Sequence, residues 1–231
     1  MPTQTPNRPS ATKTSKIPTR AEKRPDEFIV VASDQGLGLN APQEMGNKLW
    51  APMFVMGVMA FAAALILGFV RSNAIATAAG AGTIAQLGHV TTGVMFIGFT
   101  AVLSAITFAI ARILGVFRSE GGNVQTLASG HVQTLTMPAA AKGMILSMVM
   151  GMMAIIVAVG LHVYVAASVV GTSEASLATA AQWGSSLEGV RRLGVGMHLF
   201  GIVLGLATIV HVLRFQSIRI LEVAKERTAS R

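Results

Sequence analysis

Beyond residue 50 the chain alternates long apolar runs with short polar breaks. Four runs, about 50–70, 84–115, 138–170 and 186–214, are each long enough to cross a hydrocarbon core of about 30 Å at about 1.5 Å per residue. Only helices or closed barrels satisfy their own backbone in lipid, and these runs are too long for strands. The pattern therefore predicts an all-α integral membrane protein, a bundle of four transmembrane helices. Trp50 and Pro52 open the first span, with Pro52 in a first-turn position. A capping box Thr83-x-x-Gln86 heads the second, and Gly121-Gly122 closes it. Pro138 and Gly171 bound the third. Ser185-x-x-Glu188 heads the fourth, which should run on as an amphipathic helix. Residues 173–183 suit short helices lying on the interface.

Residues 1–45 are different. They hold six of the eight prolines, many Ser and Thr and both charge signs, so they lack the apolar surface for a core of their own. The expected organisation is an extended N-terminal tail (1–45), a transmembrane domain (46–217) and a basic C-terminal tail (218–231). Within the first tail, Phe28-Ile29-Val30-Val31 is the natural anchor for docking on partner subunits. The first apolar run starts too far in for a secretory signal, and the Ser/Thr/Arg-rich start, with no acid before Glu22, has some transit-peptide character.

Composition sharpens the membrane assignment: 52% of residues are hydrophobic, 12% are charged and mean hydropathy is +0.60. Cys is absent, which excludes disulfides, iron–sulfur clusters and thiolate chemistry. The formal charge of +8 resembles a nucleic-acid signal until the bases are located. Seven Lys and Arg precede span 1, three fall from Arg112 to Lys142, and five follow from Arg214. Only Arg71, Arg191 and Arg192 occupy the other two connections. This asymmetry places both termini on the cytoplasm-like side and makes anionic lipid headgroups, not nucleic acid, the partner of the charge. Trp183 and Tyr164 fit an outer aromatic belt and Trp50 an inner one.

An internal repeat is visible. Val55-Met56-Gly57-Val58-Met59-Ala60 recurs as Val149-Met150-Gly151-Met152-Met153-Ala154, and span 2 from Gly93 aligns with span 4 from Gly196, pairing Gly98 with Gly201 and Leu103 with Leu206. Two copies of one helical hairpin are expected, with chance matching among abundant small residues as the alternative.

The ten carboxylates, first Glu22 and last Glu226, are placed outside the spans, which argues against a proton- or sodium-coupled transporter. No nucleophile–base pair lies within the membrane. Small residues recur four apart at Ala60/Ala64/Gly68, Ala101/Ala105/Ala109, Ala154/Ala158 and Gly201/Gly205, the usual basis for close helix packing in lipid. The thirteen methionines serve as adaptable packing.

Histidine carries the chemical signal. His89, His162 and His198 fall in the outer half of the spans; His162 and His198 each lie six residues inside an assumed outer end, about 9 Å deep. Two depth-matched imidazoles on different helices suit axial ligation of one haem b iron, and His89 adds the option of a three-nitrogen metal site. Ala85, Ala158, Gly194 and Ala207 each precede a His by four and clear room for a flat macrocycle. Arg191 and Arg192 sit where propionates would need partners. The ordinary role of each His is one interhelical hydrogen bond. His211 points to another face, with only His131 in reach. In helix count and histidine depth the chain resembles the haem b membrane anchors of respiratory oxidoreductases. The leading expectation is a non-catalytic accessory subunit of a larger, energy-transducing membrane complex, packed against other membrane subunits, with one haem b as an option and single interhelical hydrogen bonds from the histidines as the other. The alternatives are a cytochrome b-type anchor exchanging electrons with quinone, and a chlorophyll-binding subunit.

Overall fold

The computed structural model describes residues 22–23, 29–33, 39–129 and 132–229. Their elements, in chain order, are β1 (Glu22–Lys23), β2 (Ile29–Ser33), α1 (Ala41–Ala76), α2 (Ala81–Ser129), β3 (Val132–Leu135), α3 (Ala139–Tyr164), a π-helical turn (Val165–Val169) and α4 (Glu174–Ala229). Four helices are long and apolar enough to cross a membrane, as expected. The starts of α1 and α3 and the ends of α2 and α4 share one end of the bundle, here the terminal end. The α1–α2 and α3–α4 turns form the hairpin end.

The helices overrun most of the expected boundaries. α1 begins at Ala41, with Pro42 in its first turn and the Gln43 side chain accepting from the Asn40 N–H at 3.2 Å. Pro52 therefore lies inside the helix, not at its head. α2 starts at Ala81, so Thr83 is already helical, and it runs straight through Gly121 and Gly122. α4 takes in residues 174–183, which form no separate interfacial helix; Ser173 caps it by accepting from the Ser176 N–H at 3.2 Å. Ser185 and Glu188 are interior to it. With 49 and 56 residues, α2 and α4 are about 73 and 84 Å long, well beyond a hydrocarbon thickness.

Why these helices associate is clearest in α4. From Leu187 on, its buried positions step by fours and threes: Leu187, Arg191, Gly194, His198, Gly201, Gly205 and Thr208, then Phe215, Arg219 and Val223 with Val212 half-buried between. That is the spacing of a left-handed seam. The seam is built of small and polar residues, whereas Leu199, Phe200, Val203, Leu206 and Val210 face outward. Such a helix is inverted relative to a soluble one, since lipid solvates its apolar face and close backbone contact or hydrogen bonding holds the other. α1 follows the same rule and buries only Gly46, Gly57 and Ala64.

The two hairpins repeat, in a register that corrects the alignment of spans 2 and 4. A Cβ on Gly57 would sit 3.2 Å from the Gly98 carbonyl, and one on Gly151 would sit 2.9 Å from the Gly194 carbonyl. Gly98 is covered by Phe61 and Gly194 by Ile155; Gly57 meets Val102 and Gly151 meets His198. Gly98 is thus equivalent to Gly194, not to Gly201. In this register Gly88, Gly93, Val94 and Gly98 recur as Gly184, Gly189, Val190 and Gly194. The earlier alignment is displaced by seven residues, two helical turns, a slide that leaves facing directions nearly unchanged and is invisible to a match of small residues.

Three short strands form an antiparallel sheet in the order β1-β2-β3, with Val30 opposite Leu135 and Ser33 opposite Val132. Val30 and Val31 of the expected docking anchor therefore pair with this chain's own α2–α3 connection, and Ile29 pairs with Lys23. Phe28 and most of the tail lie outside the described residues.

Candidate functional site

The histidines flagged in the sequence fall into two places. His89 on α2 and His162 on α3 meet near the hairpin end, their Nδ1 atoms 2.9 Å apart and ring centroids 5.2 Å apart. Arg191 on α4 closes the group, with Nη1 3.0 Å from His162 Nε2. Its guanidinium carbon lies 4.9 Å from the centre of the Phe96 ring, and Nη2 pairs with Glu188. Three helices thus converge on one buried polar cluster, in which His162 is 2% and Arg191 7% exposed.

Donor inventory fixes the direction of the chain. Arginine has no acceptor, so His162 Nε2 accepts from it. His162 then carries its proton on Nδ1 and donates to His89 Nδ1, while the His89 ring donates in turn to the Ala180 backbone carbonyl. Each imidazole is used once as donor and once as acceptor. No ring nitrogen of the pair is left open, and an iron between them would need the nitrogens about 4 Å apart, at roughly 2 Å from each.

His198 is elsewhere. Gly184 lies against His89, which touches His162, and His198 is fourteen residues further along α4, about 21 Å towards the terminal end. The equal depth assigned to His162 and His198 is thereby corrected. It rested on a helix end at residue 192, but α4 passes Glu188, Arg191 and Arg192 without interruption, the one carboxylate pairing with both guanidiniums: Arg192 Nε binds Glu188 Oε1 at 2.7 Å. One haem iron does not fit between His162 and His198 in this register. His198 donates from Nδ1 to the Gly194 carbonyl at 3.0 Å, and its Nε2 accepts from Ser104 Oγ at 3.3 Å. The clear faces expected beside it are occupied, since Gly194 and Gly201 lie against Gly151, Met144 and Ser147 of α3. Among the described residues no three His, Asp or Glu are placed to hold a metal. Arg192 is largely exposed, and both guanidiniums share Glu188. That carboxylate, placed outside the spans by sequence, belongs to the cluster.

At the terminal end a second network escaped the sequence reading. Arg219, 2% exposed, donates to Gln125 Oε1 at 3.2 Å and to Glu222 and Glu226 at 3.0 and 3.1 Å. Gln125 in turn holds the backbone of Gln133 in β3 at 2.9 and 3.1 Å. The available signal was the heptad ladder Arg191, His198, Gly205, Val212, Arg219. His211 lies in an open groove beside Pro138, Lys142 and Ala207, and His131 lies outside the described residues. No family model, curated protein or solved structure matches the chain.

Proposed function

We propose that the chain is a non-catalytic structural subunit of a larger membrane complex, with both termini on the cytoplasm-like side. The observation that carries this reading is the closed chain from Arg191 through His162 and His89 to Ala180. The groups a membrane catalyst would use are spent on joining α2, α3 and α4. Interhelical hydrogen bonds of this kind contribute about 0.6 kcal/mol each, up to about 1.7, and they fix which helices meet. The surface offered to partners is α1, which turns Phe54, Val58, Met59, Leu65, Ile66 and Phe69 outward.

A photo-crosslinking residue at Phe54 or Phe69, introduced in the native membrane, tests the proposal. Discrete protein adducts are expected; lipid adducts alone at both positions refute it. Purified protein is expected to show neither a Soret band nor a chlorophyll band.

A further inference from the structure

Four helices share one hydrocarbon layer, and their contacts fix where it lies on each. α1 carries no charge from residue 49 to residue 70, a stretch of about 33 Å between Lys48 and Arg71. At one end of this stretch Arg71 lies against Gly88 of α2, and at the other Gly46 lies against the backbone of Phe108 and Arg112. α2 has no charge before Arg112, and α3 has no carboxylate, Lys or Arg after Lys142. Three helices thus leave the same layer free of these charges, and α4 does not.

α2 and α4 run parallel, with Ser104 opposite His198 and Gln125 opposite Arg219. Arg192, six residues before His198, is therefore level with Gly98. Gly98 faces α1 between Gly57 and Phe61, midway from Lys48 to Arg71, so Arg192 stands about 15 Å from either edge of the layer. Its side chain is 79% exposed, and that of Glu188, with which it pairs, is 40% exposed. A snorkelling side chain does not reach headgroups from this depth, and charged groups in membranes almost always face protein or a water-filled cavity. Lipid is the wrong neighbour for this face of α4.

The charge indicates the right one. Glu188 pairs with both Arg191 and Arg192, one carboxylate against two guanidiniums, which leaves an excess positive charge near the midplane. No other acid of the chain is close enough to balance it. Asp26, Glu27 and Asp34 each lie within three residues of a strand, and the sheet is tied through Gln133 to Gln125, about 40 Å along α2 from Gly98. Glu174, at the start of α4, is about 27 Å away, and Glu44, Glu120, Glu222 and Glu226 lie towards the terminal end. A second copy of this chain would bring the same excess charge to the same depth. Gln182, Ser185, Gly189, Arg192 and Gly196 step by threes and fours along one exposed face, and a Cβ on Gly189 or Gly196 would meet nothing within 4 Å. A helix can therefore approach closely on either side of Arg192.

We infer that this face of α4 docks a transmembrane helix of another subunit that carries an Asp or Glu at mid-membrane depth, paired with Arg192. The inference rests on the reading of the chain as a subunit of a larger membrane complex and adds a second contact surface, separate from α1.

Photo-crosslinking residues at Ser185 and Leu193, introduced in the native membrane, test it. The expected adduct joins Leu193 to a different chain, at a hydrophobic span that contains an Asp or Glu. Arg192→Leu should lower its yield at least about tenfold, and Arg192→Lys should retain most of it. Gly189→Leu leaves every charge in place and should also lower the yield, while adducts from Phe54 persist in all three variants. Lipid adducts alone at Ser185 and Leu193, an adduct between two copies of this chain, a crosslinked span without an acid, or an unchanged yield in Arg192→Leu overturns the inference. So does labelling of Leu193→Cys by an impermeant thiol reagent, which would make this face the wall of a water-filled cavity. Lipid adducts at Ser185 and Leu193 beside protein adducts at Phe54 refute the α4 surface alone; lipid adducts at Phe54 and Phe69 as well refute the larger complex with it.

Discussion

His162 accepts from Arg191 and donates to His89, so removing either imidazole strands a nitrogen of the other. A double-mutant cycle on His89→Ala and His162→Ala, read by thermal melting in detergent, is expected to give a coupling of about 0.5–2 kcal/mol. Additive effects would mean that the 2.9 Å contact carries no energy. His198 differs, because it occupies the place that Val102 fills in the first hairpin and its Ser104 contact is the longer one, at 3.3 Å. His198→Val should therefore cost less than His162→Val, and the reverse order in the same melting assay would remove the equivalence of the two sites. All three rings stood out in the sequence as ionisable groups in apolar runs. Their grouping did not, because depth was counted from charges presumed to mark a helix end, and Glu188, Arg191 and Arg192 pair with one another inside α4.

At the scale of the helix, glycines separate into those that mark crossings and those that do not. A methyl group on Gly57 or Gly151 would press on a facing backbone at 3.2 or 2.9 Å, and Gly→Ala there is expected to destabilise by about 1–3 kcal/mol. Gly160 and Gly196 have nothing within 4 Å, so Ala at either should be neutral or stabilise by up to about 1 kcal/mol. Melting temperatures of the four variants check both halves; equal losses at all four would discard the crossing register. The existence of four apolar helices was legible because lipid demands a long apolar run. Their ends were not, since capping boxes and Gly pairs that stop helices in water lie within α2 and α4, where seam contacts outweigh local preference. The rows Ala101/Ala105 and Gly201/Gly205 are buried as expected, while Gly68 meets nothing.

For the whole molecule, both helix–helix turns lie at one end and the basic segments at the other. Single cysteines at Ala81 and Ser176, in the native membrane, are therefore expected to be labelled by an impermeant thiol reagent from the same face, the one opposite the cytoplasm-like side. Labelling of one and not the other would contradict the pairing of the hairpins, and labelling of both only from the basic side would invert the topology. The hairpin duplication was half legible: the α1–α3 match is correct, but the α2–α4 match required contacts to choose among positions seven apart. Those contacts have a further consequence for length. Ser104 faces His198, and Gln125 faces Arg219, so twenty-one residues separate the contacts on each helix, three heptads in both. One residue added to α4 between them would turn Arg219 by about 100° and carry it 1.5 Å along the axis, away from Gln125. Seven added to α4 alone would restore its direction but leave it about 10.5 Å too far along. Only matched heptads added to α2 and α4 together keep both contacts, so this part of the chain can lengthen or shorten only in paired steps.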